Sequence, residues 1–274
     1  MASQYSYSMS ASPLASAPEY QPAFWNQTKD GTPGQEPLTA ADDDFQGELK
    51  FTANCYVYIL NWSGADEEDV FDVGDFYAAD LKIPGKEDKD TYPVHKTKTS
   101  GLDKQAAQVV TQLQECQKAP NNAELIQQCK KNHLELVRAY ANLIRKFAVR
   151  DGLHSIPGNK DTPLEKIMCP GGWYLVALFI DPDPNGLDHH WYRLDNNGLW
   201  SHKPGEGRIR NFDADGKKIS DPRKGALGEW KVFGGFFAVP AGGQKILEKT
   251  KSLAAESDIE DDSDDDNVDI DVDD

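Results

Sequence analysis

The stretch "WYLVALFI" at 173–180 is an unbroken apolar run, with "CPGG" before it and "DPDPNG" after it. A strand with one wet face alternates apolar and polar side chains, so a run of this length predicts a strand buried on both faces. Further along, "HHWYRL" and "LWSHK" flank Asn197-Gly198, the strongest short-range hairpin signal in the chain. "VFGGFFAVP" at 232–240 reads as a last strand.

Upstream the periodicity changes. Leu102, Ala106, Val109, Leu113 and Cys116 form one apolar stripe, and Ile126, Cys129, Leu136, Tyr140, Leu143 and Phe147 form another after "APNN". Spacings of three, four and seven residues predict two amphipathic helices. Asn121 or Asn122 is placed to cap the second, and Gly152 lies just past its end, so a helical hairpin is predicted over 101–151. With six Trp and eleven Phe available for a core, the chain reads as one α+β domain over 46–242 carrying that hairpin as an insertion, its sheet mostly in the C-terminal half.

Residues 1–45 are rich in Ser, Ala, Pro, Gly and Gln and are predicted to form a disordered arm, except that "PAFWNQ" should dock onto the body. Residues 243–274 read as a disordered acidic tail: twelve Asp and Glu lie between Glu256 and Asp274 with no Lys or Arg. Most of the formal net charge of -17 therefore belongs to the tail. A body with no basic run offers little to a phosphate backbone, which argues against nucleic-acid binding. The tail suits a basic protein partner, and Ser257 and Ser263, each followed by acidic residues, match what acidophilic kinases favour.

No basic and apolar leader opens the chain and no run of about eighteen apolar residues occurs, so neither a signal peptide nor a membrane span is expected. The expectation is a cytoplasmic protein, with a host cytosol or nucleus as the alternative. Cys55, Cys116, Cys129 and Cys169 lack CxxC spacing, so thiols in a reducing compartment are expected, with no metal and no cofactor. Cys116 and Cys129 fall on the helical stripes as packing residues, and a bridge across the hairpin is the alternative. "DPDPNGLD" and "DADGKKISD" lack calcium-loop spacing and read as turns.

The chemistry concentrates in His190 and His202, either side of the hairpin turn. With Gly198 left-handed in a three-residue loop, Asp195 pairs with Leu199 and Tyr192 lies opposite His202. His190 then shares that face, a diagonal step of about 7–8 Å away. A two-residue loop would put His189 there instead. One imidazole acting as a base and the other fixing its tautomer need a nucleophile, and Cys55 offers one. Asn54 is suited to cap a helix opened by Cys55, whose N-terminus would stabilise a thiolate. The β-formers in "CYVYILNW" support a buried strand as the other reading.

Asn54-Cys55, His190, His202, the turn glycine Gly198 and the aromatic Trp200 together resemble the NlpC-type branch of the papain-like cysteine peptidases. "NCYVY" and "HWYRLDNNGLWSHKPG" are also similar to a mainly bacterial group of proteins with no established substrate. The resemblance implies a papain-like, NlpC-like core, a helix packed on an antiparallel sheet. It implies Cys55 as nucleophile, His190 as base and His202 as orienter, with Asn54 and His189 in support and the Cys55 N–H in the oxyanion hole. Cys169 is the second-choice nucleophile. Trp191, Arg193 and Trp200 are candidates for a substrate groove, with core packing as the other reading of the aromatics. The implied reaction is hydrolysis or acyl transfer at an amide, ester or thioester carbonyl of a peptide, protein or acyl substrate, through an acyl-enzyme. The competing expectation is a non-catalytic interaction or structural protein on the same fold, binding through its hairpin and tails.

Overall fold

The computed structural model describes residues 12–37, 49, 54–61, 93–205 and 207–242. The acidic tail, with Ser257 and Ser263, lies outside the described residues. Among the described residues four α-helices precede the sheet: α1 (Pro22–Trp25), α2 (Cys55–Ile59), α3 (Pro93–Lys118) and α4 (Ala123–Arg150). Five strands follow: β1 (His154–Ile156), β2 (Trp173–Asp181), β3 (Asp188–Leu194), β4 (Trp200–His202) and β5 (Val232–Pro240). They form one antiparallel sheet in the order β1-β5-β2-β3-β4. The architecture is α+β, as expected, and no helix among the described residues is long and apolar enough to cross a membrane.

The apolar run becomes the central strand. Tyr174, Val176, Leu178 and Ile180 of β2 face α2 and α4, in a core with Tyr58, Val137, Ile144, Phe147, Trp191 and Phe237. Trp173, Leu175, Ala177 and Phe179 face a second core with Ile167, Cys169, Tyr192, Trp200, Phe233 and Phe236. Each large side chain so buried contributes about 1.5–3 kcal/mol, and the two cores explain why β2 carries no polar residue before Asp181.

The helical hairpin forms where the stripes predict it, and α3 begins earlier than residue 101, at Pro93. The Asn122 side chain accepts a hydrogen bond from Leu125 N at 3.1 Å and caps α4. At the other end Gly152 takes φ of 97°, while Gly152 N and Leu153 N bond Val149 O and Ala148 O. This reciprocal closure satisfies the last carbonyls and turns the chain into β1. Cys116 and Cys129 are joined in a disulfide across the hairpin, with Cα atoms 6.9 Å apart. The expectation of free thiols at these positions is thus corrected: the antiparallel stripes that make both residues apolar-facing also make them neighbours.

In β5 the pair Gly234-Gly235 makes a bulge opposite Leu178 and Phe179. Gly235 has φ of 127°, and a Cβ there would come within 2.5 Å of Arg145 Nη1. Arg145 uses that nitrogen to donate to Gly234 O at 2.9 Å, pinning α4 to the sheet.

Part of the N-terminal arm is ordered, as the aromatic pair in "PAFWNQ" suggests. Trp25 is buried with its ring edge-on to Tyr58 at 5.2 Å. Asn26 donates to Ile209 O and accepts from Ile209 N, like one more strand residue. The Asn26 amide and the Trp25 ring give this segment the long-range partners that set it apart from an arm otherwise predicted to be disordered.

Candidate functional site

The hairpin turn sets the site. Gly198 has φ of 80°, Asp195 N donates to Leu199 O, and Gly198 N donates to Asp195 O. Tyr192 consequently pairs with His202, and side-chain alternation puts His190, Tyr192 and His202 on one face. His190 Nε2 and His202 Nδ1 lie 2.8 Å apart. Tyr192 stacks on the His202 ring at 4.7 Å, and Trp230 lies flat on His190 at 3.9 Å. Both imidazoles are buried.

Their electrostatics follow from that enclosure. Burial pushes His190 well below its ordinary pKa, helped by the neighbouring His202, His189 and Arg210. Burial and then the Arg210 charge bring His202 down to about 3, against the Phe212 carbonyl, which favours the protonated form. At neutral pH both rings are uncharged.

The opposite face holds a polar cluster. Arg193 and Asp195 are fully buried and paired, with Nε donating to Oδ1 at 2.9 Å. Arg193 also donates to the Tyr58 hydroxyl at 2.8 Å and to Asn61 Oδ1 at 3.2 Å, with its guanidinium 4.1 Å above the Tyr58 ring. The Tyr58 hydroxyl and Ser201 Oγ are 2.6 Å apart. These contacts clamp α2 onto β3 and β4.

Asn54 caps α2, its side chain accepting from Val57 N at 3.0 Å, and Cys55 opens the helix. The strand reading of "CYVYILNW" is thereby set aside, and α2 is held by packing, since all five of its residues are buried. The helix runs antiparallel to β2: Tyr174 OH donates to Ile59 O, Tyr58 meets Arg193 and Ser201, and Tyr56 packs on Trp191 at 5.5 Å. β4 stops at His202, opposite Tyr192, so His190 stands beyond the last pair of that ladder. Burial raises the Tyr192 phenol pKa, against the Arg210 charge, and a negative charge on Cys55 adds to the rise.

The structure thus joins His190 to His202, and packs α2 on the other face of the sheet, with Cys55 in the core on that face. The remaining candidates are redistributed. Trp191, Arg193 and Trp200 are each fully buried, so none of them lines a groove. Trp191 sits between Tyr56 and Phe237, and Trp200 packs near Phe236. His189 bonds the Tyr140 hydroxyl through Nδ1 at 3.1 Å and ties α4 to the sheet. Cys169 is buried, and burial pushes its thiol up to about 12, so it is a core residue.

Sequence reasoning missed Trp230, Arg210 and the Arg193–Asp195 pair as structural determinants of this region. Strand alternation in "HHWYRLD" would have separated Trp191, Arg193 and Asp195 from His190 and Tyr192. Nothing local marks Trp230, which arrives from the segment before β5.

No family model matches the chain, and no solved structure matches it. Among curated proteins it is similar to Insoluble matrix shell protein 1 of Ruditapes philippinarum, with 48% identity over 65 residues. Those residues are 24% of this chain and 42% of that protein's length.

Proposed function

We propose that the chain is a cysteine hydrolase or acyltransferase with a papain-like, NlpC-like core, in which Cys55 is the nucleophile, His190 the base and His202 its orienter. The observation that carries this reading is the 2.8 Å hydrogen bond between His190 Nε2 and His202 Nδ1 beneath the Trp230 ring. It leaves Nδ1 as the ring nitrogen available to the sulfur and keeps water from the bond that fixes the ring. The Asn54 cap on the helix that Cys55 opens supports the same reading. Thiolate attack on an amide, ester or thioester carbonyl forms the acyl-enzyme, His190 passes the proton to the leaving group, and water or an amine releases the acyl group.

Hydrolysis of p-nitrophenyl acetate tests it. A burst of one equivalent of nitrophenolate per chain, absent in Cys55→Ala and slowed in His190→Gln, is expected. Wild type indistinguishable from Cys55→Ala would overturn the reading.

A second reading, a non-catalytic structural or partner-binding protein, is favoured by the similarity to a shell matrix protein. It is also favoured by the packing of α2 on the sheet face opposite the two imidazoles. This reading predicts no burst in wild type.

A further inference from the structure

His202 Nε2 has two neighbours with incompatible demands. Arg210 Nε lies 3.2 Å from it and Phe212 O lies 3.4 Å from it. A guanidinium N–H only donates and a carbonyl only accepts, so one nitrogen cannot serve both at once. If it accepts from Arg210, the His202 proton must sit on Nδ1. If it donates to Phe212, Nδ1 is bare.

The backbone fixes this contest in place. His202 N bonds Arg210 O at 2.9 Å, and Arg210 N bonds His202 O at 3.0 Å, so the two residues form a closed pair. The Arg210 guanidinium also lies 5.7 Å from the centre of the Phe212 ring. A charged donor at the shorter distance outcompetes a neutral bond at the longer one.

We infer that Arg210 is a positioning residue that sets the tautomers of both buried histidines: with Arg210 engaged, His202 Nδ1–H donates to His190 Nε2, and His190 carries its proton on Nδ1. When Arg210 is withdrawn, His202 Nε2–H turns to the Phe212 carbonyl, and His190 Nε2–H donates to His202 Nδ1. His190 Nδ1 is then a free lone pair. Each ring keeps one proton and exchanges it between its own nitrogens, so no net charge moves. If Cys55 is the nucleophile, as proposed above, the engaged arrangement is the less reactive of the two, because the His190 proton then sits on Nδ1, the nitrogen left outside the histidine pair. A ligand that draws Arg210 away, such as an anionic group on the substrate, would raise the rate above that of a neutral ester.

The tautomers are read directly by long-range proton–nitrogen NMR correlations of the histidine rings, on the full chain at pH 8, in wild type and in Arg210→Met. The expected result is Nδ1–H on His190 and His202 in wild type and Nε2–H on both in the variant. Nε2–H on His202 in wild type, or unchanged tautomers in a folded Arg210→Met, would overturn the inference. Should the variant fail to fold, the wild-type spectrum alone still decides. Neither result depends on Cys55 reacting, so loss of the ester burst and loss of the Arg210 effect are separate outcomes.

Discussion

Replacing Asp195 with Ala strands the Arg193 guanidinium in the core, and the structure sets the size of the effect. Both residues are fully buried, and Arg193 keeps the Tyr58 hydroxyl, the Tyr58 carbonyl and Asn61 as acceptors, none of them charged. Removing one partner of a buried pair costs about 3–5 kcal/mol, a large part of a domain's usual stability of about 5–15 kcal/mol. Arg193→Met should cost less, because the stranded group is then a carboxyl that can take up a proton, whereas a guanidinium cannot lose one.

Burial already raises the Asp195 pKa, and Arg193 is the main influence holding it down. Without Arg193 it rises further. A carboxyl whose folded pKa exceeds its unfolded value of about 3.9 binds the proton more tightly when folded. The Arg193→Met deficit should therefore shrink as pH falls through the raised folded pKa, down to about 3.9. Urea unfolding at pH 7 and pH 5, scored as the difference from wild type at each pH, measures this. An Asp195→Ala cost below about 1 kcal/mol, far under the usual cost of stranding a buried charge, would refute the reasoning. So would an Arg193→Met cost that ignores pH.

Both depressed histidines should make the protein acid-sensitive. Their stability contribution is complete above the unfolded value of about 6.5 and is lost as pH falls toward the folded value, about 3 for His202. The loss runs at up to about 1.4 kcal/mol per pH unit for each ring, and His202→Gln should flatten the slope of unfolding free energy against pH between 6 and 4. Replacing Cys116 and Cys129 together by Ser should lower stability by about 2–4 kcal/mol in denaturant titration, by freeing the unfolded hairpin. Trp25→Ala should cost about 3 kcal/mol and expose Tyr58, and an unchanged melting curve would show that the arm contributes nothing to the core.

Local pattern made the hairpin register legible: Gly198 demanded a left-handed turn, and strand alternation then delivered the His190–His202 contact. The helical stripes were legible in part: Leu136 and Phe147 are buried and Tyr140 and Leu143 edge the core, while Val137, Ala141, Ile144 and Ala148 fill the rest of the face that α4 buries. The face of the sheet on which α2 would settle was not legible, because that choice is made by Tyr58 and Arg193, 135 residues apart. Read locally, Arg193 and the tryptophans resembled groove residues, and only the packed sheet shows them covered on every side. The three-residue β1 carries too little periodicity to announce itself, and its place beside β5 is a wholly long-range outcome.

The proposed chemistry stands on Cys55 being activated by His190, and the pH profile of Cys55 alkylation by iodoacetamide tests that link most directly. In wild type, Cys55 should react faster than the buried Cys169 across pH 5–9, with a plateau extending below the ordinary thiol range near 8.5. His190→Gln should abolish the plateau and slow the reaction at pH 7 at least tenfold. Equal, slow labelling of Cys55 and Cys169 in wild type, unaltered in His190→Gln, would contradict the account and leave the imidazole pair as a purely structural feature of the sheet.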